Sequence, residues 1–474
     1  MERILTASQM QKADAFTINN LGVSQEELVL RAGQAVAEVI KKQFVGGRVL
    51  VCVGKGNNGK DGLVVSDILS KTHGFSVAVF DSEKPCYELF DRQFDIIIDC
   101  LFGIGLNRQI EGKYKNVIDK INVSNSYKIS CDIPSGINGN TGKVMGVAVK
   151  ADLTIAIGEL KVGHFLGDGI DYCGKLVCKD IGISVWEDKF IKRIDERDAK
   201  KCFIKPNRNV HKGNFGKTCI IGGSEDFSGS VILSSNSLSA LKSGVGYTYL
   251  CVPKKLFNAY VGKNPECILT TFDEDVEGSM QKVLCCDSIA IGMGMGASEL
   301  TYKIVCYLLL NYTGTLIIDA DGLNSMAKYG IGVLKNKKCS VILTPHIGEF
   351  SRLVGKDKEF LSDNLINEAV EFANKYNVIL AVKSAVSVVT DGNDVYFNTT
   401  GCSGMAKAGS GDVLSGLIAG VVARNSCELE SLLSAFYLFG KAGEKAQEKE
   451  SEFTMTASQI IEQFASVIKD LQQA

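Results

Sequence analysis

Five glycines surround one aspartate, Asp412, in the stretch GCSGMAKAGSGDVLSG at residues 401–416, which runs on into the apolar segment LSGLIAGVVA. Glycines let backbone N–H groups turn toward an anion, and a helix start adds partial positive charge. A carboxylate there would repel bound phosphates unless it has another task. That task is to take the proton of a hydroxyl that attacks a phosphoryl group. The competing reading is a glycine-rich turn whose aspartate caps the helix. Three further polar groups lie at strand ends in the same half: His346 in TPHIGEF, and Asp319 and Asp321 in IIDADGLN. Capping roles compete there with contacts to a metal or phosphate. HKGNFGKT is close to a phosphate-binding P-loop, but His211 stands where its first glycine belongs, so that reading is rejected.

The first half carries a second constellation. GKGNNGKDG at 54–62 follows the apolar run RVLVCVG, and its glycines satisfy G-x-G-x-x-G, with Asp81 after the next strand. Asn57, Asn58 and Asp61 supply hydrogen-bonding side chains where a plain pyrophosphate loop needs only backbone. Such polarity suits a loop that reads a sugar or ring, or holds a cation. Asp99 ends the next apolar run, before the turn LFGIGLNRQ, and Asp132 ends another in CDIPSGING, where Pro134 and Gly136 force a sharp turn. In an open parallel sheet ligands sit at the C-terminal strand ends, so the three loops should converge on one crevice. Lys161 is a further charged candidate, with a surface position as its alternative.

Such loops need a scaffold of parallel strands. Apolar β-rich runs at 48–54, 75–80, 95–100, 127–133 and 152–158 alternate with helical stretches. The alternation resumes at 218–223, 245–252, 288–294, 315–320, 340–345 and 378–383. Between the two series lies the charged segment 186–209, with Pro206, which sets a boundary near residue 200 and gives domains 1–200 and 201–474. Thr6 and Gln9 have capping-box spacing at the start of an amphipathic N-terminal helix. Apolar content of 45% and a net charge of −2 describe a soluble α/β protein with no nucleic-acid or membrane footprint. The 16 cysteines are scattered, form no C-x-x-C, and fit buried thiols in the reducing cytoplasm better than disulfides or zinc.

GKGNNGKDG, DCLFGIGL, SCDIPSGI and KADLTIAIGELKVG together resemble the epimerase domain of NAD(P)H-hydrate repair proteins, over most of residues 1–185. Residues 211–416 resemble the dehydratase domain of the same proteins, through HKGNFGKTCIIGGSEDFSGS, IGMGMG, IIDADGLN, LTPHIGEFSRL and the 401–416 loop. The resemblance implies a Rossmann-like three-layer αβα domain followed by a ribokinase-like α/β domain. It implies that Asn57, Asn58, Gly59, Lys60 and Asp61, with Gly103, Ile104, Gly105, Leu106, Asn107, Arg108 and Gln109, contact the hydrated nucleotide. Asp132 would lie at the reacting ring, and Asn58, Asp99 and Ser135 would surround K⁺. In the second domain Ser230, Gly294, His346 and Asp412 would contact the hydrate. Lys383, Ser384, Ala385, Val386, Ser387 and Gly411 would contact ADP or ATP. The chain departs from the family pattern at Lys60, Ser230, Ser384 and Lys407–Ala408.

The implied chemistry is metabolite repair. Water added to a reduced nicotinamide ring leaves a hydroxyl that departs poorly. Phosphorylating it with ADP or ATP, Asp412 taking its proton and Mg²⁺ offsetting charge, creates a leaving group whose elimination restores the ring. The first domain would interconvert R and S epimers so that both can be repaired. A homo-oligomer is expected. The rival reading is an NAD-dependent oxidoreductase fused to a sugar kinase.

Overall fold

Alternate residues of the strand Gly47–Val53 (β1) enter two different cores. Val49, Val51 and Val53 pack with Val36 and Ile40 of helix Gln25–Gln43 (α2) and with Val65 and Leu69 of helix Asn57–Ser70 (α3). Leu50 and Cys52 pack on the opposite face with Val117, Ile118 and Ile121 of helix Gly112–Val123 (α4). A strand buried on both faces belongs to a parallel sheet between helix layers. The neighbours are Phe75–Asp81 (β2), Ile96–Cys100 (β3), Tyr127–Cys131 (β4), Leu153–Ile157 (β5) and Lys175–Lys179 (β6). Their order is β2-β1-β3-β4-β5-β6, parallel throughout.

The computed structural model describes residues 2–187, 189–236 and 241–473, and it divides into two units, Glu2–Ile191 and Lys192–Ala474. In the first unit, the short strand Arg3–Leu5 pairs in parallel with Leu160–Lys161, setting Leu5 opposite Lys161. The chain then enters helix Ala7–Leu21 (α1), which Thr6 and Gln9 close with a reciprocal capping box.

The second unit repeats the three-layer plan. Its strands are Lys217–Ile221 (β7), Tyr247–Pro253 (β8), Cys267–Phe272 (β9), Ser288–Ile291 (β10), Thr315–Ile318 (β11), Ser340–Leu343 (β12), Ile379–Val382 (β13), Ser387–Thr390 (β14) and Val395–Asn398 (β15). They run β9-β8-β7-β10-β11-β12-β13 in parallel and finish with antiparallel β14 and β15. One face packs on helices Ser410–Arg424 (α10), Glu428–Lys449 (α11) and Ala457–Gln473 (α12), through Ile220, Leu250, Ile317, Leu417, Phe436 and Phe464. Val413 through Ala423 of α10 are all buried, so this helix is enclosed on every side. Four more helices of the unit are Glu299–Asn311 (α6), Ala320–Tyr329 (α7), Ile347–Val354 (α8) and Lys358–Tyr376 (α9); a short one, Ser228–Ser235 (α5), precedes them.

All eleven apolar runs read from the sequence contain strands. β6, β9, β14 and β15 were not foreseen, because they are short and lack a long apolar core. Helix α3 starts at Asn57, six residues before the apolar stretch at Leu63, so the polar side chains of NNGKD stand on a helix turn rather than in a loop.

Gly54 follows β1 against the turn that follows β3. A Cβ on Gly54 would lie 1.9 Å from the Leu101 carbonyl oxygen, and one on Gly59 would lie 1.9 Å from the Gly54 oxygen. Both contacts are backbone and cannot give way. Gly54→Ala should therefore destabilise the first unit by about 1–3 kcal/mol, lowering its calorimetric transition while leaving that of the second unit in place. An unchanged transition would show that the loop relaxes freely.

Candidate functional sites

A cavity of about 630 Å³ opens at the C-terminal ends of the first sheet, as the three loops require. Asn57, Asn58 and Asp61 line it from the first turn of α3, Gly103 to Arg108 from the turn after β3, and Asp132 from the end of β4. Gly59, Lys60 and Gln109 are not among its lining residues. Helix α1 supplies a wall that sequence reasoning missed: Met10, Gln11, Asp14 and Ile18 share one helical face turned to the cavity.

Lys161 is fully buried, contrary to its surface alternative. Its ammonium donates to Asp132 Oδ1 and, at 2.6 Å, to the Ile157 carbonyl. Ile157 N–H also donates to Asp132 Oδ1 at 3.2 Å. Asp132 is held at φ +69°, a left-handed conformation costly for a residue with a side chain. Behind it, His164 Nδ1 accepts from Lys161 N–H at 3.1 Å, so Nε2 carries the hydrogen and donates to the Asp132 carbonyl at 2.7 Å. Burial, and then the neighbouring Lys161 charge, push the His164 pKa down to about 4, keeping the ring neutral. Nothing in the sequence pattern singled out His164; only the fold places it.

Two carboxyls face this pair without a hydrogen-bond donor among the described residues. Asp61 is pushed up to about 8, first by burial and then by the charges of Asp132 and Asp14. Asp14 is raised to about 6 by burial, which outweighs Lys161.

The three oxygen ligands expected for a cation come together beneath the cavity. Asn58 Nδ2 donates to the Phe102 carbonyl at 2.9 Å, and Ser135 Oγ accepts from Phe102 N–H at 2.8 Å. Asp99 accepts from Ser135 Oγ at 2.6 Å, Ser135 N–H at 2.8 Å, Ser130 Oγ at 2.9 Å and Leu101 N–H at 3.2 Å. Burial raises its pKa against those bonds. Asn58 Oδ1 is buried with no partner, the kind of open acceptor a cation would satisfy. One open oxygen beside a well-bonded carboxylate suits a weakly charged ion better than a divalent one.

In the second unit Asp412 lies in the first turn of α10, whose start, Gly409 at φ +92°, offers no side-chain cap. Ser410 N–H donates to the Lys407 carbonyl at 3.3 Å, which leaves the N–H groups of Gly411 and Asp412 to face an anion, and Ser410 Oγ is buried without a partner. Asp319 N-caps α7 through Ala320 N–H at 2.8 Å. It also accepts from Lys383 Nζ at 2.7 Å and from the Ser415 hydroxyl of α10. Lys383 Nζ lies 3.6 Å from where a Cβ on Gly411 would stand, which brings the ammonium to the same helix start. Burial and the Asp319 charge raise Asp412 to about 6, opposed by a hydrogen bond from Ser230. Gly294 sits at φ +65°, and a Cβ there would lie 2.6 Å from the Phe227 oxygen and 3.0 Å from Ser230 Cβ. Ser230, Gly294, Asp412, Lys383 and Gly411 therefore share one region.

His346 caps α8: Nδ1 accepts from Gly348 N–H at 2.9 Å, and Glu349 accepts from His346 N–H at 2.8 Å. Burial and Lys383 lower the His346 pKa, while the ring stays half exposed. Glu349, unnoticed in the sequence, is raised to about 7 by burial and Asp319. Ser384 Oγ and Ser387 Oγ are turned into their own hairpin, on the Val386 and Ser384 carbonyls, and Lys383 alone of that run joins the acidic group. Lys407 holds the carbonyls of Phe453 and Met455 at 2.6 and 2.7 Å, so its ammonium braces the glycine loop. Asp321 Oδ2 accepts from Gly296 N–H at 2.8 Å. Among the described residues no cluster of three or more His, Cys, Asp or Glu side chains forms a metal site, and no helix is long and apolar enough to cross a membrane. A Mg²⁺ ion here would need phosphate oxygens alongside one or two carboxylates.

Residues 218–466 match the family model described as NAD(P)H-hydrate dehydratase, and residues 25–95 and 80–163 match that of the YjeF-related protein N-terminus. A bifunctional NAD(P)H-hydrate repair enzyme of Thermofilum pendens is 32% identical over 99% of this chain and 97% of its own. One of Archaeoglobus fulgidus is 30% identical over 94% and 95%. Among solved structures, the ADP/ATP-dependent NAD(P)H-hydrate dehydratase of Bacillus subtilis, co-crystallised with ATP and Mg²⁺, shares 25% identity at TM-score 0.52, covering 59% of this chain and 99% of that one. A ribokinase-like protein of Enterococcus faecalis shares the fold at TM-score 0.54 and 23% identity, over 60% and 97%.

The Asp61 carboxyl makes stability depend on pH. Its folded pKa, about 8, lies above its ordinary 3.8, so the folded state holds the proton more tightly and loses stability as pH rises through that interval. Asp14 acts only up to about pH 6, which leaves Asp61 to dominate from 6 to 8. Asp61→Asn should flatten the fall in the first unit's thermal transition over pH 6–8, with little effect below pH 4. Wild-type and variant curves of equal slope in that window would refute the burial assigned to Asp61.

Proposed function

The chain belongs to the family of bifunctional NAD(P)H-hydrate repair enzymes, and we propose on that premise how its residues divide the work. The enzyme is both an epimerase and a dehydratase, and this displaces the reading of an oxidoreductase fused to a sugar kinase. The epimerase is assigned to the first unit and the dehydratase to the second, with hydrated NADH or NADPH as substrate of both and ADP or ATP as co-substrate of the second. The boundary between them, at Ile191–Lys192, lies short of residue 200 because Ile194 and Ala199 pack in the second core. Sixteen free thiols suit the cytoplasm as its location.

The observation that carries the dehydratase assignment is the uncapped start of α10, where open N–H groups, the Lys383 ammonium and Asp412 meet. The N–H groups and Lys383 hold the nucleotide phosphates. Asp412, with a pKa of about 6, is mostly ionised at neutral pH and takes the proton of the hydrate hydroxyl as it attacks phosphorus. Nucleotide phosphates with Asp321 would hold Mg²⁺, which would supply charge neutralisation when bound. Asp319, already engaged by Lys383 and Ser415, fixes the lysine rather than the metal. Elimination of phosphate then restores the reduced ring. Ser230 and Gly294 border the position of the hydrate, and half-exposed His346 faces it with a neutral ring.

In the epimerase, Asp132 contacts the reacting ring through its Oδ2, since Lys161 and Ile157 N–H occupy Oδ1. Asn57, Asn58 and the Gly103–Arg108 turn bind the rest of the nucleotide. Asn58 Oδ1, which has no partner, would hold K⁺ together with Asp99 and Ser135, and the ion's charge would keep the two loops in register.

Asp412→Asn should slow dehydration by about 10²–10⁴-fold, as loss of a general base does, and leave epimerisation intact. Wild-type dehydration should rise with pH through about 6. Asp132→Ala should do the converse, halting epimer exchange while the S epimer is still dehydrated. Chromatography of the epimers and recovery of NADH absorbance with ADP or ATP follow the two activities. A rate above about a tenth of normal for Asp412→Asn, against the loss expected for a base, sinks that assignment.

Replacing K⁺ by a bulky organic cation should lower the epimerase rate and the first unit's thermal stability together, with both recovered on adding K⁺ back. Asn58→Ala should abolish that response. Indifference of both readouts to the cation removes the ion from the site.

A further inference from the structure

An inverting centre needs proton transfer on two sides, and the first unit has so far been given one carboxylate for it. Water adds across the enamine bond of a dihydronicotinamide so that the hydroxyl lands on the carbon beside the ring nitrogen. That carbon can lose its hydroxyl with help from the nitrogen lone pair and regain it on the other face. The departing oxygen must receive a proton and the entering water must give one up, from opposite sides of the ring. Asp132, at the end of β4, has one open oxygen and reaches one side.

We propose that Asp14 of α1 is a catalytic residue of the epimerase, the proton-transfer partner of Asp132 across the bound ring; this rests on the epimerase reading of the first unit. Asp14 lies in the cavity wall on the Met10–Ile18 face of α1, whereas Asp132 comes from the sheet. It has no structural duty: Thr6 caps α1, and no described residue donates a hydrogen bond to Asp14. The other ionisable groups facing the cavity are Lys55, Asp61, Arg108, Tyr114, Asp132 and Lys161. Lys161 is committed to Asp132, and Asp61, held near pKa 8, gives up a proton reluctantly. Asp14, near 6, exchanges one readily on either side of neutrality.

The Asp14 proton moves to the hydroxyl oxygen, the C–O bond breaks with its electron pair on the departing water, and the nitrogen lone pair forms a C=N bond. A water then adds to the carbon from the Asp132 side, the C=N pair returns to nitrogen, and the water's proton passes to the Asp132 carboxylate. The opposite epimer runs the same step with the two carboxyls exchanged. The solvent oxygen therefore enters the product.

The test uses the full-length enzyme and each purified epimer in H₂¹⁸O. The wild type should incorporate ¹⁸O at the rate of epimerisation. Asp14→Asn should lower kcat for epimerisation and for ¹⁸O entry about 10²–10⁴-fold, with KM held within about threefold and dehydration of the S epimer unchanged. Asp14→Glu should recover part of that loss. Inversion without ¹⁸O, or a folded Asp14→Asn enzyme whose kcat is kept while KM rises, overturns the proposal. Should Asp14→Asn prove unstable, Asp14→Glu and the wild-type isotope measurement decide the matter alone. A wild type that exchanges no epimers at all would instead refute the epimerase reading itself.

Discussion

A lysine ammonium taken out of water must find a carboxylate, and each unit of this chain builds its site around one such pair. Lys161 with Asp132 in the first unit and Lys383 with Asp319 in the second are both placed by strand ends of a parallel sheet. Removing one member of a buried pair leaves an uncompensated charge, a change that costs about 3–5 kcal/mol. The surroundings are accordingly arranged to keep both. Asp132 accepts an unfavourable backbone angle, and neutral His164 fastens the turn from behind. Asp319 takes three donors from β11–α7, β13 and α10, so the same carboxylate joins the elements that bear Asp412 and Lys383.

These pairs also set the chemistry of their neighbours. A carboxyl beside an already neutralised Lys–Asp pair gains little from the lysine and still suffers its own burial. That is why Asp61 and Asp14 rise in the first unit and Asp412 and Glu349 in the second, with desolvation the leading cause in all four. Groups with pKa values pulled toward neutrality are the ones that can move protons at neutral pH. Structural pairing and catalytic tuning are here one arrangement.

The sheets were legible because strands buried on both faces leave continuous apolar runs such as LVCV and IIID, and the loops that line the first unit's cavity were legible where glycine and aspartate end those runs. The walls contributed by distant elements were not. Asp14 stands in an amphipathic helix whose sequence shows only its periodicity, and it becomes part of a cavity through the pairing of Arg3–Leu5 with Leu160–Lys161. Lys161 carried a surface position as its alternative because a lysine is rarely fully buried; the carboxylate that permits burial is distant in sequence. His164 carries no local signal, since it is defined by the Asp132 carbonyl in another loop. Glu349 shows only its capping spacing to His346, while the Asp319 charge that helps raise it comes from another loop. Lys407 and Ser384 were visible as departures from the family pattern, but only the fold shows that both bond to carbonyls nearby.

The two units impose compatible demands on pH. Asp412 is ionised, as the base proposed for it must be, above about 6, whereas the first unit keeps the stabilising protonation of Asp61 only below about 8. Between those limits Asp412 is charged while the first unit keeps the stability that a neutral Asp61 beside the Lys161–Asp132 pair contributes. A chain that passes one epimer from the first reaction to the second needs both to run in the same medium. Burial of the two carboxyls to different depths, with the Asp61 pKa pushed further than that of Asp412, produces the overlap, and it falls at neutral pH.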